Sequence, residues 1–307
     1  MTNPLLDEIE IRRFRSLDRV RMRNLRDMNV VFGKNDAGKS NVLRALNLFF
    51  NGETDIGRPF DWAIDHTLGS EISTTYVKVT FHVPDTYWRS CGRKLTVRRQ
   101  WNSKGETTQT VGRRSAGKAP PSNIITRFLR LFHYHHIPAI KDSGLFEHLL
   151  GATYAILVED AGFKTLVEEF AATVQGHTTA LSKSLETRRG LKSLLSGPTD
   201  LRVLFRSLDF LTGGDTKFSL LLQRGDGIKV THIPELLDFI SERSATPYHI
   251  WGFEEPENSL SYSNAISEAD RLQEASANPH RQVFVTSHSP AFYGLSSASV
   301  SRFCVSR

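Results

Sequence analysis

Near the N-terminus, apolar and polar side chains alternate in two short runs, Glu8-Ile9-Glu10-Ile11 and Asn29-Val30-Val31-Phe32. This is the patterning of strands with a buried face. From Lys39 the spacing lengthens: Val42, Leu43, Leu46, Phe49 and Phe50 recur at helical steps and predict a helix with one apolar side. Two more strands are predicted over 71–83 and 93–101. The polar stretch 102–122, rich in Gly, Ser and Lys, reads as a loop ending in Pro120-Pro121. Residues 123–210 follow a helical period, in pieces such as Phe146–Leu157 and Lys164–Ala171. A strand over Phe218–Leu222, a Gly-containing turn and a helix over roughly Ile233–Arg243 come next. The last third holds two apolar strands, Tyr248–Phe253 and Gln282–Thr286, with a helix between them. Strand–helix–strand alternation argues for a parallel sheet. The expected architecture is an α/β core made from both chain ends, with an antiparallel β piece and a helical insertion. Its expected division is an N-terminal lobe over 1–122, an insertion over 123–210 and a C-terminal lobe over 211–307.

Composition narrows the class. With 39% hydrophobic and 23% charged residues, the 307-residue chain falls outside the disordered, collagen-like and multi-spanning membrane classes. Cys91 and Cys304 are too few for a disulfide framework or a four-thiolate zinc site. The first residues carry acids where an export signal needs an apolar run, and no apolar stretch approaches the ~18 residues of a membrane span. A cytoplasmic protein is expected. The net charge of +6 permits a nucleic-acid partner without demanding one.

Three segments carry candidate chemistry. Gly33-Lys34-Asn35-Asp36-Ala37-Gly38-Lys39-Ser40 matches the phosphate-loop pattern G-x-x-x-x-G-K-[ST] at every position. Its glycines let successive N–H groups turn toward phosphate oxygens, Lys39 reaches the β and γ phosphates, and Ser40 offers a hydroxyl to Mg²⁺. Asn41 follows in the helix, whose N-terminal end favours an anion. In the second segment an apolar strand ends in Glu254-Glu255-Pro256-Glu257. Such acids are commonly a helix N-cap or a solvated turn. Beside a phosphate loop, Glu254 would instead hold Mg²⁺ and Glu255 would take a proton from the attacking water. In the third, the strand Val283–Thr286 runs into Ser287-His288-Ser289-Pro290, where His288 suits a sensor of the γ phosphate.

In this order the three segments resemble the ABC-type ATPases of the RecF, SMC and OLD kind, from Ile9 to His288. Ile11-Arg12-Arg13-Phe14-Arg15-Ser16-Leu17 is similar to that family's first strand and turn, Gly33–Ser40 to its Walker A, Glu254–Glu257 to its Walker B and catalytic glutamate, Asn258-Ser259-Leu260 to its D-loop, and Thr286–Ser289 to its switch histidine. GFEEPEN followed by TSHSPAF is particularly like the ATPases of the anti-phage systems OLD, Gabija and Septu. Two departures stand out: Glu254 occupies a position where aspartate is usual, and the common LSGGQ signature is missing. Arg224-Gly225-Asp226-Gly227-Ile228-Lys229 is the candidate for that signature, with Gly225 and Gly227 capping a phosphate held by another subunit; a plain strand-to-helix turn is the other reading. Gln100 is the candidate Q-loop residue. His133-Tyr134-His135-His136 invites a metal reading, but no carboxylate or cysteine completes it in the sequence and neighbouring histidines point to opposite faces of a strand.

The resemblance implies ATP and Mg²⁺, and a second copy of the chain across the nucleotide in a dimer or higher assembly. OLD and Gabija ATPases carry a C-terminal nuclease domain, for which the 19 residues after His288 are too few. Septu-type ATPases work with a separate HNH nuclease chain, so a nuclease partner is the expectation. Ser301–Arg307 reads as a strand cut short. Nucleic acid is a further expected partner, through two basic clusters: seven arginines within residues 12–26, and Arg89, Arg93, Lys94, Arg98, Arg99, Lys104, Arg113, Arg114 and Lys118. A solvated strand face is the plainer reading of the first. The competing functions are a RecF- or SMC-like repair ATPase, an OLD-family ATPase whose nuclease domain lies outside this chain, and a nucleotide-gated scaffold with very slow turnover.

Overall fold

A computed structural model describes residues 4–34, 36–112, 119–189, 205–206, 208–213, 217–295 and 298–305. The chain forms two compact units, Met1–Ile140 with Ala245–Arg307, and Lys141–Ser244. Against the expected 123–210 insertion, residues 123–140 fall in the first unit, and residues 211–244 in the second.

The first unit contains two five-stranded sheets. Its strands are β1 (Leu6–Phe14), β2 (Leu17–Arg23), β3 (Met28–Phe32), a small ribbon β4 (Glu53–Asp55) and β5 (Arg58–Pro59), then β6 (Thr74–His82), β7 (Lys94–Asn102), β8 (Thr107–Val111) and β9 (Phe132–Ile137). After β10 (Leu211–Thr212) and β11 (Phe218–Ser219) of the second unit, the first resumes with β12 (Tyr248–Glu254), β13 (Arg281–Thr286) and β14 (Val300–Cys304). The central sheet has the order β14-β3-β13-β12-β9 and every neighbouring pair is parallel. The other sheet, β2-β1-β6-β7-β8, is antiparallel throughout.

The sequence pattern explains both. All six positions of β13 are buried, as are all but the first of β12, because a parallel sheet is covered on both faces and reads as a nearly continuous apolar run. Strand β6 instead alternates buried and half-exposed positions, the mark of a sheet with one wet face. Helix α1 (Lys39–Asn51) turns Val42, Leu43, Leu46 and Phe49 inward. It is fastened to the central sheet by the Tyr134 hydroxyl, which donates to the Leu43 carbonyl at 3.0 Å.

Three expected elements are corrected. The stretch 102–122 contains β8, an edge strand paired with β7. The region read as wholly helical contains β9, a strand of the central sheet. The strand predicted over Phe218–Leu222 ends after two residues and continues as a helical turn, Leu220–Gln223. The second unit is mainly helical, with helices Ser143–Leu157, Ala161–His177, Thr179–Arg189 and Asp226–Arg243. No helix among the described residues is long and apolar enough to cross a membrane.

Candidate functional site

The parallel strands β3, β13 and β12 lie side by side and present their C-terminal ends together, the usual place for a ligand in an open α/β sheet. Strand β3 runs into the glycine loop. Gly38 there has φ 98°, and a β-carbon on it would lie 2.5 Å from Ser16 Oγ and 2.8 Å from Leu17 Cδ2. Glycine is required on both counts. Gly38 also stands at the N-cap of α1, with no side chain capping the helix and no acid in its first turn. The helix thus presents positive partial charge to the loop. Lys39 lies over the same loop, its ammonium donating to the carbonyls of Gly33 at 3.1 Å and Lys34 at 3.2 Å.

Beside this loop is a cavity of about 300 Å³. Asp36, Gly38, Lys39, Ser40 and Asn41 line one side, with Arg44 one turn further along α1. Glu255 and His288, from just beyond β12 and β13, line the other. Ala37 is buried beside them. Asn35 lies outside the described residues. The chain reverses at Glu255, whose φ is 41°, and its N–H donates to the Thr286 carbonyl at 2.9 Å. One Glu255 oxygen lies 4.0 Å from Lys39 Nζ and 3.7 Å from His288 Nδ1. The other accepts from Asn258 Nδ2 at 3.1 Å.

Glu254 does not line the cavity. The register pairs it with Thr286, and it points into the protein, 1% exposed. His136 Nε2 lies 2.9 Å from one of its oxygens and the Arg44 guanidinium 3.3 Å from the other. Burial opposes the charge on Arg44, but Glu254 and Asp55 beside it raise its pKa above the ordinary arginine value. The His133–His136 segment divides between the two faces of β9, and among the described residues no cluster of His, Cys, Asp and Glu could hold a metal ion. His133 and His135 stack on one face with ring centroids 4.3 Å apart, while His136 finds on the other the carboxylate that linear reading could not supply. His135 also meets His249 at 3.0 Å. Burial, with His133 nearby, draws His249 down to about 4.

Further residues of the quoted motifs have partners at the site that motif reading did not assign. Glu257 accepts from Ser287 Oγ at 2.7 Å and from the His288 N–H at 3.0 Å, so it pins the turn that carries His288. Arg15 connects the β1–β2 turn to Asn41, Asp55 and Asp65, and Ser16 accepts from Asn41 Nδ2 at 3.0 Å. The third acid of EEPE and the RFRS turn were in view, but their partners are too distant in the chain to be inferred. Gln100 is not among the lining residues; it lies within β7 and accepts from Arg98. Gly225 and Gly227 belong to the second unit. Gly225 is the N-cap of helix Asp226–Arg243, without a side-chain cap, and Gly227 lies in its first turn.

A family model described as an AAA ATPase domain matches residues 5–91, the stretch containing the glycine loop. No curated protein matches the chain. Similar solved structures include an SMC head bound to the C-winged helix domain of ScpA, at 16% identity and TM-score 0.59, covering 95% of this chain and 91% of that one. Another is the SMC head domain with an extended coiled coil, bound to the C-terminal domain of ScpA and derived from Pyrococcus furiosus, at 14% identity and TM-score 0.57, with the same coverages of 95% and 91%. The fold is therefore like that of an SMC head, with a parallel core sheet, an antiparallel sheet and helices.

Proposed function

We propose that this chain is an ATP-binding and hydrolysing switch subunit of an anti-phage defence complex, controlling a partner nuclease. The nucleotide part rests on one observation: Lys39, Ser40, Glu255 and His288 border one cavity at the uncapped N-terminus of α1. Loop N–H groups and Lys39 would bind the phosphates. Glu255 would accept a proton from the attacking water, and His288, half-exposed and held by Glu257, would contact the γ phosphate.

Ser40 offers magnesium a hard hydroxyl oxygen at the cavity. Glu254 does not fit as the second ligand as it stands: it is buried away from the cavity, with one oxygen on His136 and the other on Arg44. Bound at Ser40, the metal would offset charge on the β and γ phosphates.

A second copy would supply the turn Arg224–Lys229. Its helix start is uncapped, although Asp226 in the first turn opposes an anion and Lys229, 3.1 Å away, offsets that acid. The defence role and the nuclease partner are supported by the likeness of GFEEPEN and TSHSPAF to Septu, OLD and Gabija ATPases. Nucleic acid would contact the polar face of the antiparallel sheet.

ATP affinity, turnover and mass in solution test the reading. Lys39→Ala is expected to lose ATP affinity tenfold or more. Glu255→Gln should keep ATP, self-associate with it and turn over on the order of a hundredfold more slowly. Normal turnover in Glu255→Gln removes the proposed base. Failure of a co-encoded nuclease chain to co-purify removes the partner assignment and leaves the nucleotide site standing.

A further inference from the structure

A second cavity, of about 330 Å³, is built in the first unit from the C-terminal end of α1, strands β7 and β8, and helix Ser122–Leu129 with the start of β9. We propose that it binds a small planar aromatic anion: a ring against Phe50, Leu129 and Phe132, and a carboxylate or phosphate on Arg99 and Arg130. It is separate from the phosphate-loop cavity, since α1 has 13 residues and spans roughly 20 Å at ~1.5 Å per residue.

The argument begins with Arg99. In the β6–β7 register it pairs with Val77, and it lies on the same side of β7 as Val97 and Trp101, the apolar face of the sheet. An arginine directed inward is costly unless its charge is answered. Its partners are neutral. The guanidinium donates to the Phe49 carbonyl and, through Nε, to Gln109 Oε1 at 3.1 Å, and it lies 5.2 Å from the centre of the Phe49 ring. No carboxylate meets it among the described residues. The C-terminal end of α1 offsets part of the charge through the Phe49 carbonyl. Consistent with the remainder, burial pulls the Arg99 pKa below the usual arginine value, with no acid acting against it. Arg130, exposed at the rim, adds a second cation.

The walls select the rest of the ligand. Phe50 and Leu129 are half-buried and Phe132 keeps a small exposed edge above the fully buried Phe49, so the accessible floor is apolar and aromatic and favours a flat ring. Thr126 and Gln109 supply the neutral polar groups that would orient it. Guanidinium groups beside an apolar floor suit an anion tethered to a ring better than a free inorganic ion. The anionic group can belong to a carboxylic acid or to a nucleotide.

Titration calorimetry on the full-length Lys39→Ala protein, which disables the phosphate loop, tests the proposal with 2-naphthoate, AMP and neutral 2-naphthamide. Binding of 2-naphthoate, AMP or both is expected, the pattern telling a carboxylate ligand from a nucleotide, and 2-naphthamide should bind at least tenfold more weakly. Arg99→Gln should lower affinity tenfold or more. If that variant does not fold, Arg130→Glu decides, because it reverses charge at an exposed position and should weaken binding at least fivefold. The proposal is overturned if neither anion binds, if the amide binds as well as the anions, or if affinity survives charge reversal at Arg130.

Discussion

Glu10, on the antiparallel sheet, is held by three hydrogen-bonding side chains. Burial pushes its pKa upward, but hydrogen bonds from Lys78, from the Tyr76 hydroxyl at 2.8 Å and from Arg12 Nε at 3.0 Å outweigh it and bring the carboxyl to about 2. His249, buried beside His133 and His135, is lowered to about 4. Both are depressed in the folded state, so both stabilise it above their unfolded values and lose that contribution as pH falls. His249 acts first, between its ordinary value of 6.5 and about 4. Glu10 follows between 4.5 and about 2. Chemical denaturation at pH 7 and near pH 3 should show the wild type losing about 2 kcal/mol more than Glu10→Gln, from ~1.4 kcal/mol per pKa unit. Equal losses would mean that the Lys78, Tyr76 and Arg12 contacts do not hold the carboxylate in solution.

At the scale of elements, the junction of α1 with the central sheet depends on an absent side chain. A β-carbon on Gly252 of β12 would lie 2.1 Å from the Tyr134 hydroxyl oxygen and 2.7 Å from its ring, and Tyr134 is fully buried and bonded to α1. Gly252→Ala should therefore destabilise the protein by about 2–4 kcal/mol in denaturant titration, through overpacking. Replacing Tyr134 with leucine in the same chain should recover part of that loss; an additive double mutant would place the strain elsewhere. The same junction shows where sequence reading reaches and where it stops. Strands β3, β12 and β13 and helix α1 were legible because their apolar periods are long and end in motif residues. Strand β9 was not, because three of its six residues are histidines, and the two buried ones, His135 and His136, look exposed until His249 and Glu254 are brought beside them from over 100 positions away. Strand β8 has four exposed residues out of five and is held by main-chain pairing with β7, so it leaves no hydrophobic signal. At the site, the loop, Glu255 and His288 followed from local chemistry. The inward turn of Glu254, the reach of Arg44 and the role of Glu257 depend on long-range register, which one linear pattern does not carry.

For the whole molecule, a net charge of +6 overstates what a nucleic acid would meet on the proposed face. The register places Arg19, Arg21, Arg23, Arg12, Lys78 and Arg98 on one side of the antiparallel sheet, together with Glu8 and Glu10. Arg21 and Arg23 pair with Glu8, and Arg12 and Lys78 with Glu10. The rest of the two basic clusters is dispersed. Arg15 is bound to Asp55 and Asp65 near the loop, Lys94 to Asp7, Arg93 lies over Trp88, and Arg99 faces inward. Arg113, Arg114 and Lys118 lie outside the described residues. If duplex DNA binds on this face, internal pairing limits the number of phosphates neutralised to about four. The plot of log affinity against log salt should then have a slope no steeper than about −4, at ~0.9 per phosphate. Arg19→Glu and Arg98→Glu, altering cations with no acid partner among the described residues, should each make the slope shallower by more than Arg21→Glu, whose charge is already answered by Glu8. A slope near −8 would require cations beyond this sheet, and a slope near zero would assign the arginines to holding strands together, because paired charges release few counterions.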